Sequence, residues 1–394
     1  MNSIVNSLRR EARRLAASPW DLAMITWVPL LGVALLWWIF SAGLPRHLAV
    51  GVVDEDHSSL SRQLVRMLDA TPGVQITQHY ANAAEAEHAL RTVQVYAVVS
   101  IPHDFARTVL QGRAAQVTLL HNAQLGTHSG LLQRDVRAAV GTLSAGIEMA
   151  ARNKRGESAQ AVQVSMEPIH AQMEALFNVS GNYERFLGAA LIPALLHILA
   201  MTAGAWSVGR ELRDRSLGEW LGQGLGTTAW AGTAGALLGK LALPWATLTL
   251  TGLLALVGIT WGRGWHPPGN LAWVALALAL LMAVSVMAGA ALAAVTRSLR
   301  TALSGTGFLA APAFAFSGVA FPLSAMPGSA RAWAEAMPFT HYIRLQIEQL
   351  QMGAPLATSV PTMAALLIAS VALWLVAAIG LRVAAGRPNT WGGR

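Results

Sequence analysis

Leu271-Ala-Trp-Val-Ala-Leu-Ala-Leu-Ala-Leu-Leu-Met-Ala-Val-Ser-Val-Met-Ala-Gly-Ala-Ala-Leu-Ala-Ala-Val295 runs without one Asp, Glu, Lys or Arg. A bilayer core takes about 20 apolar residues of helix, so this stretch is long enough to cross it. Stretches 23–44, 186–208, 241–261, 302–321 and 359–381 qualify on the same ground. The sequence therefore predicts an α-helical polytopic membrane protein with about six transmembrane helices. The first stretch exceeds the apolar region of a signal peptide and lacks a small-x-small cleavage site before Pro45, so it reads as a retained helix.

Composition agrees and adds an insertion. Charged residues make up 12% of the chain and its mean hydropathy is +0.45, against about 25% charged in soluble domains. Residues 44–185 nevertheless hold 25 of the 48 Asp, Glu, Lys and Arg. There, Leu48–Val53, Val74–Gln78, Val95–Ile101 and Val117–Leu120 are short β-branched runs, separated by helical stretches Ser58–Asp69, Ala83–Arg91 and Pro102–Leu110. This alternation predicts an inserted α/β domain over 45–185 with a small, mostly parallel or mixed sheet, and long return helices over 126–176.

The formal charge of +8 does not signal nucleic acid, because the basic residues bracket apolar runs. Arg9, Arg10, Arg13 and Arg14 precede the first run, Arg210, Arg213 and Arg215 follow the second, and Arg382, Arg387 and Arg394 close the chain. Lys and Arg are retained on the cytoplasmic side. Segments 1–22, 209–240, 296–301 and 382–394 are then expected inside, with both termini cytoplasmic. The 262–270 loop, the 322–358 segment and the α/β insertion are expected outside. Lys240 interrupts an apolar run and is expected at the cytoplasmic boundary, where it can snorkel.

Candidate chemistry is sparse. Gly235-Ala-Leu-Leu-Gly239-Lys240-Leu241 has the wrong spacing for a phosphate loop and Leu in place of its Ser/Thr; its glycines suit close helix approach instead. Asp54-Glu55-Asp56-His57-Ser58 lacks the later ligands of a calcium loop and reads as a strand-to-helix turn capped by Asp56 or Ser58. With no cysteine and no H-E-x-x-H pattern, neither metal nor cofactor is expected in this chain. The absence of G-x-S-x-G argues against a serine hydrolase. His197, inside the second apolar run, is a functional candidate, with a bond to a neighbouring helix as its plainer role.

Arg210-Glu211-Leu212-Arg213-Asp214-Arg215-Ser216-Leu217-Gly218-Glu219-Trp220 mixes charges of both signs and ends on a tryptophan, a surface suited to docking a soluble partner. Residues 322–358 are rich in proline and aromatics, and re-entry into the membrane or an interfacial position fits them. Met326, Pro327, Pro338, Thr340, His341, Tyr342 and Arg344 are its candidates.

Four stretches, in order, resemble the ABC-2 family of exporter permeases, in its branch with a large extracytoplasmic insertion after the first helix. They are Leu8 to Leu15; Val50 to Arg62 with Ile101-Pro102-His103-Asp104-Phe105; Asn178 and Asn182 to Leu187 followed by Gly209-Arg210-Glu211; and Phe321-Pro322…Met326-Pro327…Pro338-Phe339-Thr340-His341-Tyr342. The resemblance implies a non-enzymatic permease subunit of the bacterial inner membrane. It implies a separate ABC ATPase that holds ATP and magnesium and contacts Arg210, Glu211, Arg213, Asp214, Glu219 and Trp220. It also implies a second permease copy, alternating access in the dimer and, at the periplasmic domain, an adaptor protein, with membrane lipid around the helices. The competing reading is a non-catalytic membrane scaffold or a ligand-sensing receptor with a periplasmic α/β domain.

Overall fold

The computed structural model describes residues 2–124, 126–154, 176–178, 181–222 and 230–391. They fall into two compact units, one of Met1–Gly43 with Ala175–Arg394 and one of Leu44–Glu174.

The first unit is helical. It begins with amphipathic α1 (Asn2–Ala17), α2 (Pro19–Ile25) and α3 (Trp27–Phe40). The expected unbroken helix over 23–44 needs correction, because α2 and α3 meet at a 40° bend and α3 ends at Phe40. Pro29 accounts for the break. It offers no N–H to the Ile25 carbonyl, and its ring crowds that carbonyl.

Among the described residues, four single helices are long and apolar enough to cross a membrane. They are α8 (Ala189–Arg213) with the π-helical turn Glu184–Gly188 before it, and α10 (Trp230–Val257) with the turn Gly258–Gly262 after it. The others are α11 (Leu271–Thr296) and α16 (Leu356–Ala385), and the α2–α3 pair makes a fifth candidate. Short α9 (Leu217–Leu221) lies between α8 and α10. The expected single helix over 302–321 also needs correction: α12 (Leu299–Ala310) and α13 (Ala313–Phe316) are separate. Pro312 lacks the N–H that would continue the ladder, and Gly318, with φ +88°, turns the chain away. After these come α14 (Gly328–Ala336), α15 (Pro338–Gln346) and the π-helical turn Ile347–Met352.

Helix α11 is the spine, packed along both α8 and α16. Its approach to α8 is set by glycine. A β-carbon at Gly289 would overlap the Met201 carbonyl, and one at Gly204 the Val286 carbonyl. In a bilayer, lipid tails are as apolar as leucine, so such small-residue contacts, and not hydrophobic burial, hold helices together. The same device seats α1 on α10, where Gly239 faces the Ile4 carbonyl and Gly235 faces Ser3.

The second unit carries a four-stranded sheet of order β2-β1-β3-β4, with β1 (Leu48–Asp54), β2 (Val74–His79), β3 (Ala97–Ile101) and β4 (Thr118–His121). Strand β1 pairs parallel with β2 and β3, and β4 runs antiparallel to β3. Leu64 and Leu68 of α4 (Ser59–Asp69) and Leu132 and Val136 of α7 (Gly126–Lys154) pack with Val50. Ala86 and Ala89 of α5 (Ala83–Arg91) pack with Val53. Covered on both faces, β1 is continuously apolar. Helix α6 (Phe105–Leu110) completes the unit. At the acidic turn, Asp54 Oδ1 accepts the Asp56 and His57 N–H groups, both at 3.1 Å, and Ser58 Oγ caps α4 by accepting the Ser61 N–H at 3.0 Å. The return helices expected over 126–176 are described only as α7; residues 155–175 lie outside the described residues.

Candidate functional site: a charge cluster buried between four helices

Lys240 is the residue the sequence places least well. It does not snorkel. It lies well inside α10 with no exposed surface, and its side chain meets two carboxylates from other helices. Nζ donates to Glu11 Oε2 of α1 at 2.8 Å and to Glu211 Oε1 of α8 at 2.6 Å, and lies 4.8 Å from the centre of the Trp220 ring of α9. Two carboxylates and an aromatic face thus answer the three donors of an ammonium. A buried cation is tolerable only when so matched, because its desolvation otherwise costs several kcal/mol.

Each acid has further partners. Glu211 Oε2 accepts from Arg10 at 3.3 Å and from the Ser216 hydroxyl, and Glu11 Oε1 accepts from Arg14. Trp220 Nε1 donates to Ser7 Oγ at 2.7 Å, and that hydroxyl donates to the Ala236 carbonyl at 2.6 Å. On α1, Ser7, Arg10, Glu11 and Arg14 stand at i, i+3, i+4 and i+7, one face of a helix. A second knot adjoins the first. Asp21 of α2 accepts from Arg210 and, at 3.2 Å, from Trp206 Nε1, while Arg210 also reaches Asp214 at 3.4 Å.

This geometry divides the residues expected to meet a partner. Glu211 and Trp220 are buried and committed to Lys240 and Ser7, so they brace the site from within. Arg213, Asp214 and Glu219 have side chains 47%, 42% and 76% exposed, and Arg210 is 23% exposed. The turn that presents them is built by Arg215, which adopts φ 57° between α8 and α9. The expected coupling segment 209–240 is also redistributed: 209–213 complete α8, 230–240 open α10, and 223–229 lie outside the described residues. Sequence reasoning missed Glu11, Ser7 and Asp21. The available signal was Lys240 itself, because a lysine inside an apolar helix calls for an acid, and Glu11 is the lone acid of α1.

The other candidates have partners of their own. His197 Nδ1 is 2.7 Å from Ser285 Oγ of α11, and its ring stacks on Phe339 of α15 at 5.8 Å. Tyr342 donates to Gln346 Oε1 at 2.8 Å, and Gln346 Nε2 donates to the Ala189 carbonyl at 2.9 Å. Thr340 and Met326 are buried; Pro338 and His341 are half-buried, and His341 Nε2 sits 2.7 Å from the Glu335 carbonyl. Pro327 is exposed, as is Arg344, which pairs with Glu348 at 3.1 Å. These residues do not converge on one reacting centre. A cavity of about 30 Å³ beside Tyr342 and Gln346 has an otherwise aliphatic wall.

Among the described residues, no group of three or more His, Asp or Glu is placed to hold a metal. The Gly235–Leu241 stretch is continuous helix, so its N–H groups cannot cradle a phosphate. The model of the ABC-2 family of transporter proteins matches residues 19–379. The chain belongs to that family. Proteins of this family are membrane components of transporters and are generally non-catalytic themselves. The match runs through α2 to α16 and takes in both the sheet and the charge cluster apart from α1. No curated protein matches the sequence.

Proposed function

We propose that this ABC-2 protein is the membrane-spanning permease subunit of an ATP-driven exporter, with ATP and magnesium on a separate ATPase. The observation that carries this reading is the Glu11–Lys240–Glu211 cluster. It fastens α9 through Trp220 to α1, α8 and α10, so a push on the exposed Arg213–Asp214–Glu219 surface moves three helices together. Two copies would pack around a path and alternate between inward and outward access. The α/β unit would lie in the periplasm, as a meeting point for an adaptor.

The positions of the chain ends support six crossings of the inner membrane. Arg382, near the end of α16, lies over Trp230, at the start of α10, 5.7 Å from its ring centre. Helix α1 packs farther along α10, at Gly235 and Gly239. Both chain ends therefore occupy one end of the bundle, the end with arginines, which the positive-inside rule assigns to the cytoplasm. Termini on one side require an even number of crossings, whereas the helical candidates among the described residues number five at most. We assign the sixth passage to α12 followed by α13, two helical pieces on either side of Pro312 that together cover residues 299–316.

The test is co-purification from native membranes in mild detergent, with mass spectrometry of what is retained. An ATPase recovered with wild type and lost in the Arg213→Ala/Glu219→Ala variant supports the reading. Wild-type preparations that keep other complexes intact yet hold no ATPase would favour a scaffold or receptor.

A further inference from the structure

A crevice of about 420 Å³ opens where α1 turns into α2, walled by α8, α10 and α12. Its lining is mostly apolar, with Trp20, Met24, Leu199, Ala203 and Leu303 among its walls. The volume falls within the range of ligand-sized clefts. Its polar members are nearly all spent within the protein. Asp21 holds Arg210 and Trp206, the Thr202 hydroxyl donates to the Ile198 carbonyl at 2.8 Å, and Ser207 Oγ is 3.5 Å from Glu11.

Arg14 is the exception. One of its nitrogens, Nη2, meets Glu11, while Nε and Nη1 are buried without a hydrogen-bond partner. Leaving such donors unpaired is unfavourable, the more so for a charged group. Its acid is already shared, since Glu11 also serves Lys240. An apolar cleft with unanswered guanidinium donors at its edge fits an amphiphile with an anionic head. Arginine suits phosphate better than any other side chain does, and the arginine-bearing end of the bundle faces a leaflet rich in anionic lipid.

We propose that this crevice binds one acidic phospholipid, its phosphate on Arg14 and an acyl chain along the α2–α8 wall. The bound lipid wedges the elbow between α1 and α2. The inference rests on the cytoplasmic placement of this end of the bundle proposed above, and needs no ATPase.

The experiment is native mass spectrometry of the full chain after equilibration in micelles with equal phosphatidylglycerol and phosphatidylcholine. Wild type is expected to retain phosphatidylglycerol about tenfold over phosphatidylcholine, because both offer a phosphate but only phosphatidylcholine brings a choline cation that offsets its charge beside Arg14. Arg14→Gln should abolish the preference, and Ala203→Trp, which fills the cleft from the opposite wall, should remove retained lipid of both kinds. If Arg14→Gln does not fold, Ala203→Trp decides alone. Equal retention of both lipids by wild type, or unchanged retention in a folded variant, overturns the proposal. So does displacement by millimolar glycerol phosphate, which would identify a headgroup site only. A changed monomer–dimer ratio in the variants at constant lipid would assign the crevice to a second copy and overturn it as well.

Discussion

Removing the Lys240 ammonium would leave Glu11 and Glu211 facing each other with little water to separate them. Lys240→Met is therefore expected to destabilise the protein by about 3–5 kcal/mol, the usual effect of stripping one partner from a buried ion cluster. The triple variant Glu11→Gln/Lys240→Met/Glu211→Gln should recover most of that loss, and thermal unfolding in detergent measures both. A triple variant no more stable than the single one would show that the cluster matters for its shape and not for its charge. Asp214 behaves differently. The Arg213 hydrogen bond holds its carboxyl below the usual range against the opposing effect of burial, with Arg210 assisting. A depressed folded value means that its contribution is present above about pH 3.9 and fades as pH falls through that lower value. The side chain is 42% exposed, so the contribution is small. The proposed ATPase docking through this surface should thus be unchanged between about pH 8 and pH 5, and a pull-down across that interval checks it.

Helices and strands were legible to different degrees, for identifiable reasons. The runs around β1 and α11 announce themselves because neither element meets water along its length, β1 lying in a protein core and α11 between neighbouring helices and an apolar surface suited to lipid. The interruption at Thr26 was not legible, since Pro29 acts one turn upstream of where it stands. Pro29→Ala should straighten the α2–α3 junction, whose bend is 40°. The chain has no native cysteine, so spin labels at engineered cysteines on Trp20 and Ile39 report the change as a longer distance. An unaltered distance would place the cause of the bend in packing against α8. At the α8–α11 crossing, Gly289→Leu is expected to prevent close approach and sharply lower the folded yield in fluorescence-detected size exclusion. Gly262→Leu, where a β-carbon meets nothing, should be tolerated.

Across the whole molecule, the helical membrane plan was readable from the apolar runs and composition, whereas the site was not. Lys240, Glu11 and Glu211 are far apart in the chain, and only the fold brings them together. Single cysteines probed with a membrane-impermeant reagent test the crossing number. Ser3 and Thr390 should label from one side, and His266 and Ser324 from the other. Labelling of Ser324 from the Thr390 side would remove the sixth passage. The order of the cluster's members also bears on biogenesis. Both carboxylates precede the lysine, Glu11 and Glu211 leaving the ribosome before Lys240 does. When α10 reaches the insertion machinery, α1 and α8 are already synthesised and can present their acids where that lysine must settle. The helix hardest to insert is thus translated after its counter-charges, and a circular permutant that begins at α10 would have to insert Lys240 before either acid exists.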